Sequence, residues 1–432
     1  MMLRSLLSGL HKEVWQRLPR GARRELLFSF AQVLAPTITG GVRLSPPLIV
    51  VGALKTASGL GQSARLCHDA LKALGLPVYG VDVGPMLMQS DDAVPFEYAD
   101  GRHLNGAGTL ILHVNAPLMS LAMLAMPRTL VRDKYVVGYW AWELPRIPDD
   151  WLPGLRYVNE IWVPSRFTAA AVEAICGTVP VRVVPHPVAI SAMQMRQQPR
   201  DGGTFLVLNV FNMASSFERK NALGAVAAFK SAFGSDPGVR LLVKSMNSQT
   251  YPAGANSLRA ACGDCANITL HEHCVSAAEL EAGYRRADVL LSLHRSEGFG
   301  LVLAEAMLHG VVVVATNWSG NIDFVSEHTG VPISCDFVAA RDPQGIYDFQ
   351  DMQWAEPHID EAAAALRQLR ANPDSVLSLG LNAAHFARKA FGLENYAHAL
   401  GLPLGEAAAM MSRPSQSIQP KDEPFQRCAG LV

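Results

Sequence analysis

Apolar and polar positions along the chain form two successive series of short apolar strands that alternate with amphipathic helices. In the first series we predict helices over residues 119–130 and 166–175 and strands over 48–52, 78–83, 109–114, 135–140, 161–163 and 181–184. In the second series we predict helices that begin near residues 221, 276 and 300 and strands over 205–210, 239–244, 268–270, 289–293 and 311–315. Strands that alternate with helices in this way form parallel sheets. The pattern therefore predicts an α/β protein with two doubly wound parallel-sheet domains.

The predicted domain boundaries follow a change in composition between the two series. Pro185, Pro187 and the polar run 197–203 separate them and indicate an interdomain linker. Three more helices are predicted over 359–371, 376–389 and 393–411, and the Pro, Ser and Gln content that follows is typical of a disordered tail. We predict a helical extension over 1–43, a first domain over 44–190, a linker over 191–203, a second domain over 204–389, a last helix over 390–411 and a tail over 412–432.

The first 36 residues are predicted to form two short helices with a basic amphipathic character. Leucine and other apolar side chains recur on one face of the first helix, and Arg4, Lys12 and Arg17 lie on the others. Such a segment suits the surface of an anionic membrane, and it equally suits packing on the protein's own surface. Both alternatives remain open at this point.

Composition and charge exclude several classes of protein. Charged residues make up 17% of the chain and the formal net charge is -1, so nothing indicates a nucleic-acid partner. The seven cysteines are an odd number and lie mostly in apolar stretches, which suggests reduced thiols in a cytoplasmic protein. We expect no signal peptide, because charged residues interrupt the N-terminal apolar run, and no stretch reaches the roughly 18 apolar residues of a membrane-spanning helix.

The most informative stretch is a strand, turn, helix and strand unit over residues 289–325. Its turn carries Glu297 and Gly298, and its helix carries Glu305. Eight residues of mostly helical spacing place the two glutamates up to about 12 Å apart, whereas two carboxyls that flank one hydrolysed glycosidic bond lie roughly 5 to 9.5 Å apart. A glycine turn at a helix start in an α/β sheet is a common phosphate site. We therefore interpret the unit as a nucleotide-sugar site in which the glutamates hold different parts of one extended ligand.

Basic residues follow the first strand of the second series. Arg219 and Lys220 come at a helix start together with Ser215, Ser216 and Asn221, and Lys244 ends the next predicted strand. Two cations beside helix N–H groups suit a diphosphate, which they bind and whose developing charge they stabilise as it departs. Solvated cations at a helix start would instead oppose the helix dipole.

The segment Gly59-Leu60-Gly61-Gln62-Ser63-Ala64 matches the dinucleotide pattern G-x-G-x-x-A, and Asp82 lies near the spacing of a ribose ligand. On its own it would predict an NAD-dependent oxidoreductase. The strand before it ends near Gly52, however, whereas the dinucleotide turn follows its strand directly. We favour the alternative that Gly61 lets a loop approach a substrate or phosphate in the cleft.

Three segments together resemble the retaining nucleotide-sugar glycosyltransferases of family four, which have the GT-B fold of two Rossmann-like domains facing a cleft. The segments are SEGFGLVLAEAM, FNMASSFERKN and FGLENYAHAL, and the resemblance covers roughly residues 45–405. It implies that Glu297 holds donor-sugar hydroxyls, that Glu305 holds the ribose, and that Arg219 and Lys220 bind the diphosphate. It also implies that backbone N–H groups of Gly298, Phe299 and Gly300 assist, and that the last helix crosses back to the first domain, near residues 395–402.

The chain departs from that family in the first domain, which usually carries an acidic group or a histidine that faces the sugar. The corresponding segment reads GYWAWELPRIPDDW and has no histidine. Glu143 is our candidate there for a polar contact, and Trp140 and Trp142 either stack on sugar faces or form a buried tryptophan cluster. His113 ends another predicted strand and is a further candidate for the cleft, or a histidine with a purely structural role.

No metal or cofactor is expected. Cys262, Cys265, His271, His273 and Cys274 match no familiar zinc spacing, and the chain has no Asp-x-Asp motif. The sequence therefore predicts a retaining, metal-independent hexosyltransferase in polysaccharide or glycolipid assembly, with a UDP- or GDP-sugar as donor and a glycan or lipid-linked acceptor. The alternatives are an NAD(P)-dependent oxidoreductase and a catalytically silent sugar-nucleotide binding protein.

Overall fold

The computed structural model describes residues 30–87, 94–188, 203–263, 265–273, 275–349 and 351–402. Most of the predicted N-terminal extension, most of the linker and the tail lie outside the described residues, as do Cys274 and Cys428. Residues 30–34 are helical, and Ala31 and Ala35 are buried in the core of the first domain.

The first domain is built on a six-stranded parallel sheet with the strand order β2-β1-β3-β4-β5-β6. Its strands are β1 Leu48–Gly52, β2 Val78–Asp82, β3 Gly108–Leu112, β4 Lys134–Tyr139, β5 Glu160–Val163 and β6 Val181–Val183. Its helices are α1 Gly59–Ala73, α2 Met119–Leu124, α3 Arg128–Val131 and α4 Arg166–Glu173. The helical region predicted over 119–130 divides into α2 and α3, with Pro127, a residue without a backbone N–H, between them.

The second domain repeats this architecture with the strand order β12-β11-β10-β7-β8-β9. Its parallel strands are β7 Phe205–Asn212, β8 Val239–Met246, β9 Ile268–His271, β10 Val289–Ser292, β11 Val312–Thr316 and β12 Val331–Ile333. Its helices are α5 Phe217–Lys220, α6 Ala222–Phe233, α7 Pro252–Gly263, α8 Ala277–Arg286, α9 Leu301–Leu308, α10 Ile359–Ala371 and α11 Pro373–Ala390. The predicted fold class, two doubly wound parallel-sheet domains, is confirmed.

Local sequence explains most of these elements. Strands β1 and β11 are buried along their whole length, and strands covered on both faces are continuous apolar runs for that reason. The predicted capping box at Ser276 and Glu279 is present at the start of α8. Not predicted was an antiparallel hairpin of β13 Cys335–Ala339 and β14 Gln353–Pro357, whose first strand is mostly exposed and carries no apolar periodicity of its own.

The two domains contact each other through the loops at the carboxyl ends of their strands. Ser165, which follows β5, donates a 2.6 Å hydrogen bond to the Gly298 carbonyl, and Arg166 forms a 3.0 Å ion pair with Asp323. A last helix, α12 Leu393–Leu400, leaves the second domain and packs into a cluster of the first domain that includes Leu71. None of the described helices is long and apolar enough to cross a membrane.

Candidate active site between the two sheets

Parallel strand order brings three loops of the second domain to one sheet edge. The loops that follow β7, β10 and β11 start from neighbouring strands of the sheet, so residues far apart in sequence meet at their carboxyl ends. The first loop supplies Arg219 and Lys220, the second Glu297 and the third Ser319. This edge faces the first domain.

A buried charge cluster forms the centre of the site. Glu297 is 8% exposed; one carboxylate oxygen accepts from the Lys220 ammonium and the other lies 3.3 Å from Nη1 of Arg219. Burial alone would raise the pKa of this carboxyl, but Lys220 and Arg219 outweigh burial and hold the pKa of Glu297 at about 2. Glu297 is therefore ionised at neutral pH, and its charge is shared between two cations.

Arg219 is fixed by backbone carbonyls in addition to Glu297. Its guanidinium donates to Ser296 O at 2.7 Å and to Ser215 O at 3.0 Å. Burial lowers the pKa of Arg219, but Tyr347, Glu297 and Glu143 together raise it above its usual value. Burial also lowers the pKa of Lys220, and Glu297 partly offsets that effect. The sequence-predicted residues Glu297, Arg219, Lys220 and Ser215 thus lie together.

Backbone conformations that are rare outside glycine shape the loop around this cluster. Ser216 has φ +69° and Asn221 has φ +49°, one at each end of α5. The Ser216 hydroxyl accepts from the Arg219 N–H at 3.2 Å, and the Asn221 amide donates to Leu293 O at 2.8 Å. These hydrogen bonds compensate for the strained backbone and tie the loop after β7 to the loop after β10.

The glycine turn lies directly against the first domain. A Cβ on Gly298 would lie 3.1 Å from Trp142 O of the first domain, and a Cβ on Gly320 would lie 2.2 Å from Gly298 O. The N–H groups of Gly298, Phe299 and Gly300 donate to no described residue, and Gly300 has φ +99° directly before α9. These amides are available to a negatively charged ligand at the helix start.

The side chain of Phe299 is buried. Its ring is 5% exposed and packs against His186, Phe324 and Phe391 at centroid distances of 4.8, 5.1 and 5.4 Å. The ring therefore belongs to an aromatic core that spans both domains, and the expected donor contact of the Phe299 backbone N–H stays a prediction.

Glu305 lies on α9, away from the charge cluster, and has its own hydrogen-bond partner. The Tyr284 hydroxyl donates to Glu305 Oε2 at 3.1 Å, and the Tyr284 ring stacks on His309 at 5.4 Å. Burial raises the pKa of Glu305 to about 7, and the hydrogen bond from Tyr284 only partly opposes this. One carboxyl of the site therefore titrates near neutral pH, whereas Glu297 stays ionised.

Glu143 is the residue of the first domain that reaches the charge cluster. It follows β4, and the Tyr347 hydroxyl of the second domain donates to its Oε2 at 2.8 Å. Its backbone carbonyl accepts from the Ser296 hydroxyl, and its charge raises the pKa of Arg219. The structure places this carboxylate where the two domains meet.

Two first-domain candidates prove to be buried. Trp142 is 6% exposed, donates from Nε1 to Arg146 O and packs edge-on against Trp151, so the buried tryptophan cluster replaces the sugar-stacking alternative. His113 is 2% exposed, lies 2.7 Å from the Ser63 hydroxyl and stacks on Tyr139. Burial holds the pKa of His113 well below its usual range. We therefore correct both predictions: neither side chain forms an open cleft surface.

The dinucleotide pattern has a packing explanation. Helix α1 begins at Gly59, so both glycines lie in its first turn rather than in a preceding loop. A Cβ on Gly61 would lie 2.5 Å from Thr56 O and 2.7 Å from Ala53 O. Gly61 is thus required by the close packing of its own loop, and the prediction that it approaches a ligand is not supported. Asp82 accepts from the Gly84 N–H at 3.3 Å.

Lys244 and the possible metal ligands are the remaining candidates from the sequence. Lys244 is buried on β8, in register with Val210 and His271 of the neighbouring strands. Its contact with a ligand stays a prediction. Among the described residues no group of three His, Cys, Asp or Glu side chains could hold a metal ion.

Sequence reasoning missed the side chains that orient the cluster. Ser319 accepts from the Glu297 N–H at 2.8 Å, and the buried His294 contacts Asn321 at 2.9 Å. Tyr347 covers Arg219, with the guanidinium carbon 5.1 Å from the ring centroid. Only the TNWSGN segment, a small-residue loop after a buried strand, could have pointed to Ser319 and Asn321.

Comparison with known proteins now identifies the family. The family model described as Family 4 Glycosyltransferase in conflict systems matches residues 164–385, just over half of the chain. The chain belongs to this glycosyltransferase family. None of the curated protein sequences matches it significantly.

Solved structures share the fold of this family 4 glycosyltransferase at low sequence identity. A glycosyltransferase from Rickettsia africae ESF-5 is 14% identical with a TM-score of 0.56, over 85% of this chain and 98% of that chain. Sucrose-phosphate synthase from Thermosynechococcus elongatus is 16% identical with a TM-score of 0.55, over 82% and 97%. Anabaena Alr3699/HepE, in complex with UDP and glucose, is 12% identical with a TM-score of 0.52, over 82% and 98%.

Longer glycosyltransferases match over only part of their length. The family 4 chain spans 54% of Staphylococcus aureus TarM and 61% of the pneumococcal O-GlcNAc transferase GtfA. The GT-B architecture expected from the resemblance is confirmed by the two sheets and by the Rickettsia africae and Thermosynechococcus elongatus structures.

Proposed function

We propose that this glycosyltransferase moves a hexose from a UDP- or GDP-sugar to an acceptor hydroxyl held by the first domain, with retention of anomeric configuration and without a metal ion. The observation that carries the proposal is the buried cluster of Glu297, Arg219 and Lys220, which faces Glu143 across the interdomain boundary. Two cations, two carboxylates and free backbone amides at one sheet edge suit a negatively charged diphosphate bound to a neutral sugar.

The charge cluster supports a different role for each of its residues. Arg219 and Lys220 would bind the diphosphate and stabilise its charge as it departs, together with the N–H groups of residues 298–300. Glu297 would accept hydrogen bonds from donor-sugar hydroxyls. A carboxylate whose pKa is held at about 2 by two cations is a weak base and a weak nucleophile, which supports a route without a covalent intermediate. The acceptor then arrives on the face that the diphosphate leaves, and a donor phosphate oxygen takes its proton.

Donor and acceptor classes are assigned by chemistry. The Anabaena HepE structure contains UDP and glucose, and the pneumococcal GtfA structure contains UDP and GlcNAc, which supports a UDP-sugar here ahead of a GDP-sugar. The acceptor would be a glycan or a lipid-linked glycan in polysaccharide or glycolipid assembly. Residues 1–36 would then place the enzyme on the cytoplasmic face of an anionic membrane.

A donor screen by thermal unfolding tests the proposal. A ligand present at about 100 times its dissociation constant stabilises the fold by about 2.7 kcal/mol, so the correct UDP- or GDP-sugar should raise Tm by at least about 3 °C. NMR of the product should show the same anomeric configuration as the donor. Transferase activity should be unchanged when EDTA removes divalent metal ions. No shift with any donor would refute the nucleotide-sugar site, inversion would refute the retaining route, and a shift without turnover would indicate a silent binding protein.

The pH dependence of stability should report the carboxyl of Glu305. Its pKa is raised from 4.5 unfolded to about 7 folded, so between these values the folded state keeps a proton that the unfolded state has lost. The unfolding free energy therefore falls as pH rises from about 4.5 to 7, by up to about 3 kcal/mol. Chemical denaturation should show this fall in the wild type and its loss in Glu305→Gln.

Nucleotide binding should show the opposite trend at the same residue. A ribose hydroxyl pair donates to an ionised carboxylate more strongly than to a protonated one. UDP affinity, measured by calorimetry, should therefore rise up to about tenfold between pH 6 and 8. The Glu305→Gln variant should bind UDP more weakly, and its affinity should not change with pH once the titration of UDP itself is subtracted. An identical profile in both proteins would place the ribose elsewhere.

A further inference from the structure

The loop between β13 and β14 extends from the second domain to the first. Tyr347 and Phe349 on this loop pack against Trp142 of the first domain, with ring centroids 5.5 and 5.8 Å apart. Arg146 of the first domain donates to the Asp351 carbonyl at 2.7 Å. The loop therefore forms part of the aromatic core of the first domain although the chain enters and leaves it from the second.

The same loop is fixed to the helix that carries the cations. The buried Asp342 carboxylate accepts from the backbone N–H groups of Ile346 and Tyr347, both at 3.1 Å. The Gln344 amide accepts from the Phe217 N–H at 2.6 Å and donates to Met213 O at 3.0 Å. Because Phe217 begins α5, the position of Tyr347 is coupled to that of Arg219 and Lys220.

The Tyr347 side chain contacts one charged group from each domain. Its hydroxyl donates to Glu143 Oε2 at 2.8 Å, and its ring lies 5.1 Å from the Arg219 guanidinium carbon. Tyr347 is 6% exposed and Arg219 is 2% exposed. A ring over a guanidinium in a buried setting both attracts the cation and excludes water from one of its faces.

We propose that Tyr347 is a positioning residue for sugar transfer: its hydroxyl holds the Glu143 carboxylate in one orientation beside the reacting groups, and its ring shields Arg219 from water. This rests on the proposed function. The hydroxyl then acts on the transfer step through Glu143, and the ring acts on diphosphate binding through Arg219. A purely structural tyrosine would not separate the two effects.

Four variants test this separation: Tyr347→Phe, Tyr347→Ala, Glu143→Ala and the double variant Tyr347→Phe/Glu143→Ala. Tyr347→Phe removes one hydrogen bond to a charged group and should lower kcat about tenfold with donor KM within about twofold. Tyr347→Ala also uncovers Arg219, so donor KM and the Kd of UDP should rise about tenfold. In the Glu143→Ala background, Tyr347→Phe should change kcat by less than about twofold, because its partner is already absent.

Tyr79→Phe is the matched control, since Tyr79 lies on β2, the strand at the far edge of the first sheet, and it should leave kcat and KM unchanged. An active wild type with unaltered kcat in Tyr347→Phe would overturn the inference. So would an equal loss of kcat with and without Glu143, or a rise in UDP Kd in Tyr347→Phe as large as in Tyr347→Ala. A wild type that binds UDP but transfers from no donor would instead refute the proposed function, and UDP calorimetry would still test the shielding of Arg219.

Discussion

Lys220→Met should lower kcat for sugar transfer by about 10²- to 10³-fold, the cost of removing one preorganised donor from a developing negative charge. The Lys220 side chain is 18% exposed and its ammonium pairs with Glu297, so the cation is already partly desolvated and needs little reorganisation when a diphosphate departs. UDP affinity should also fall about tenfold or more, since a hydrogen bond between charged groups is lost. Steady-state kinetics of UDP release and calorimetry with UDP measure the two effects separately.

Lys389→Met provides the matched control, because it removes the same positive charge at an exposed position of α11. The Lys220→Met protein should stay folded, since Glu297 keeps its 3.3 Å ion pair with Arg219, and near-wild-type Tm would show this. Retention of more than about a tenth of wild-type kcat would mean that Lys220 does not stabilise the departing group.

Glu297→Gln should affect both stability and turnover. It leaves the buried Arg219 and the partly buried Lys220 without their shared counter-ion, and removal of one partner from a buried ion pair costs about 3 kcal/mol or more. The pKa of Glu297 is lowered from 4.5 to about 2, so its ionised form stabilises the fold above pH 4.5 and that contribution disappears as pH falls toward 2. The stability difference between wild type and variant should therefore be full at pH 7 and shrink in acid.

Turnover of Glu297→Gln should fall about 10²-fold or more, because donor-sugar hydroxyls lose a charged acceptor in the transition state. UDP affinity should hold or rise, since the carboxylate no longer competes with the diphosphate for Lys220. Glu327→Gln, an exposed position of the same domain, is the control. A variant as stable and active as wild type would remove Glu297 from the site, and a large loss of UDP affinity would assign it to the nucleotide rather than the sugar.

Elements were predictable where their signal is local. Buried strands such as β1 and helix starts such as that of α8 depend on apolar runs and capping residues within a few positions. The hairpin of β13 and β14 was not predictable, because four of the five residues of β13 are exposed. The loop between its strands also packs against Trp142, more than 200 positions earlier in the chain. The burial of Trp142 and His113 was equally unpredictable from local sequence. Their residue types suited a cleft, but packing against residues distant in the chain buried both side chains.

The sequence by itself determined the two parallel sheets, and it selected Arg219, Lys220, Glu297 and Glu305 as candidates. Strand periodicity and the loops and helices that follow strands are local features of the sequence. In a parallel sheet the segments that follow neighbouring strands meet at one edge, so these local features also locate the site. Only the tertiary structure decided which of them share charge, with Glu297 between two cations and Glu305 apart from them beside Tyr284. It also decided that Glu143 and Tyr347 meet across the domains. Burial and opposing charge set these pKa values and contacts, and both depend on atoms that the chain brings together only when it folds.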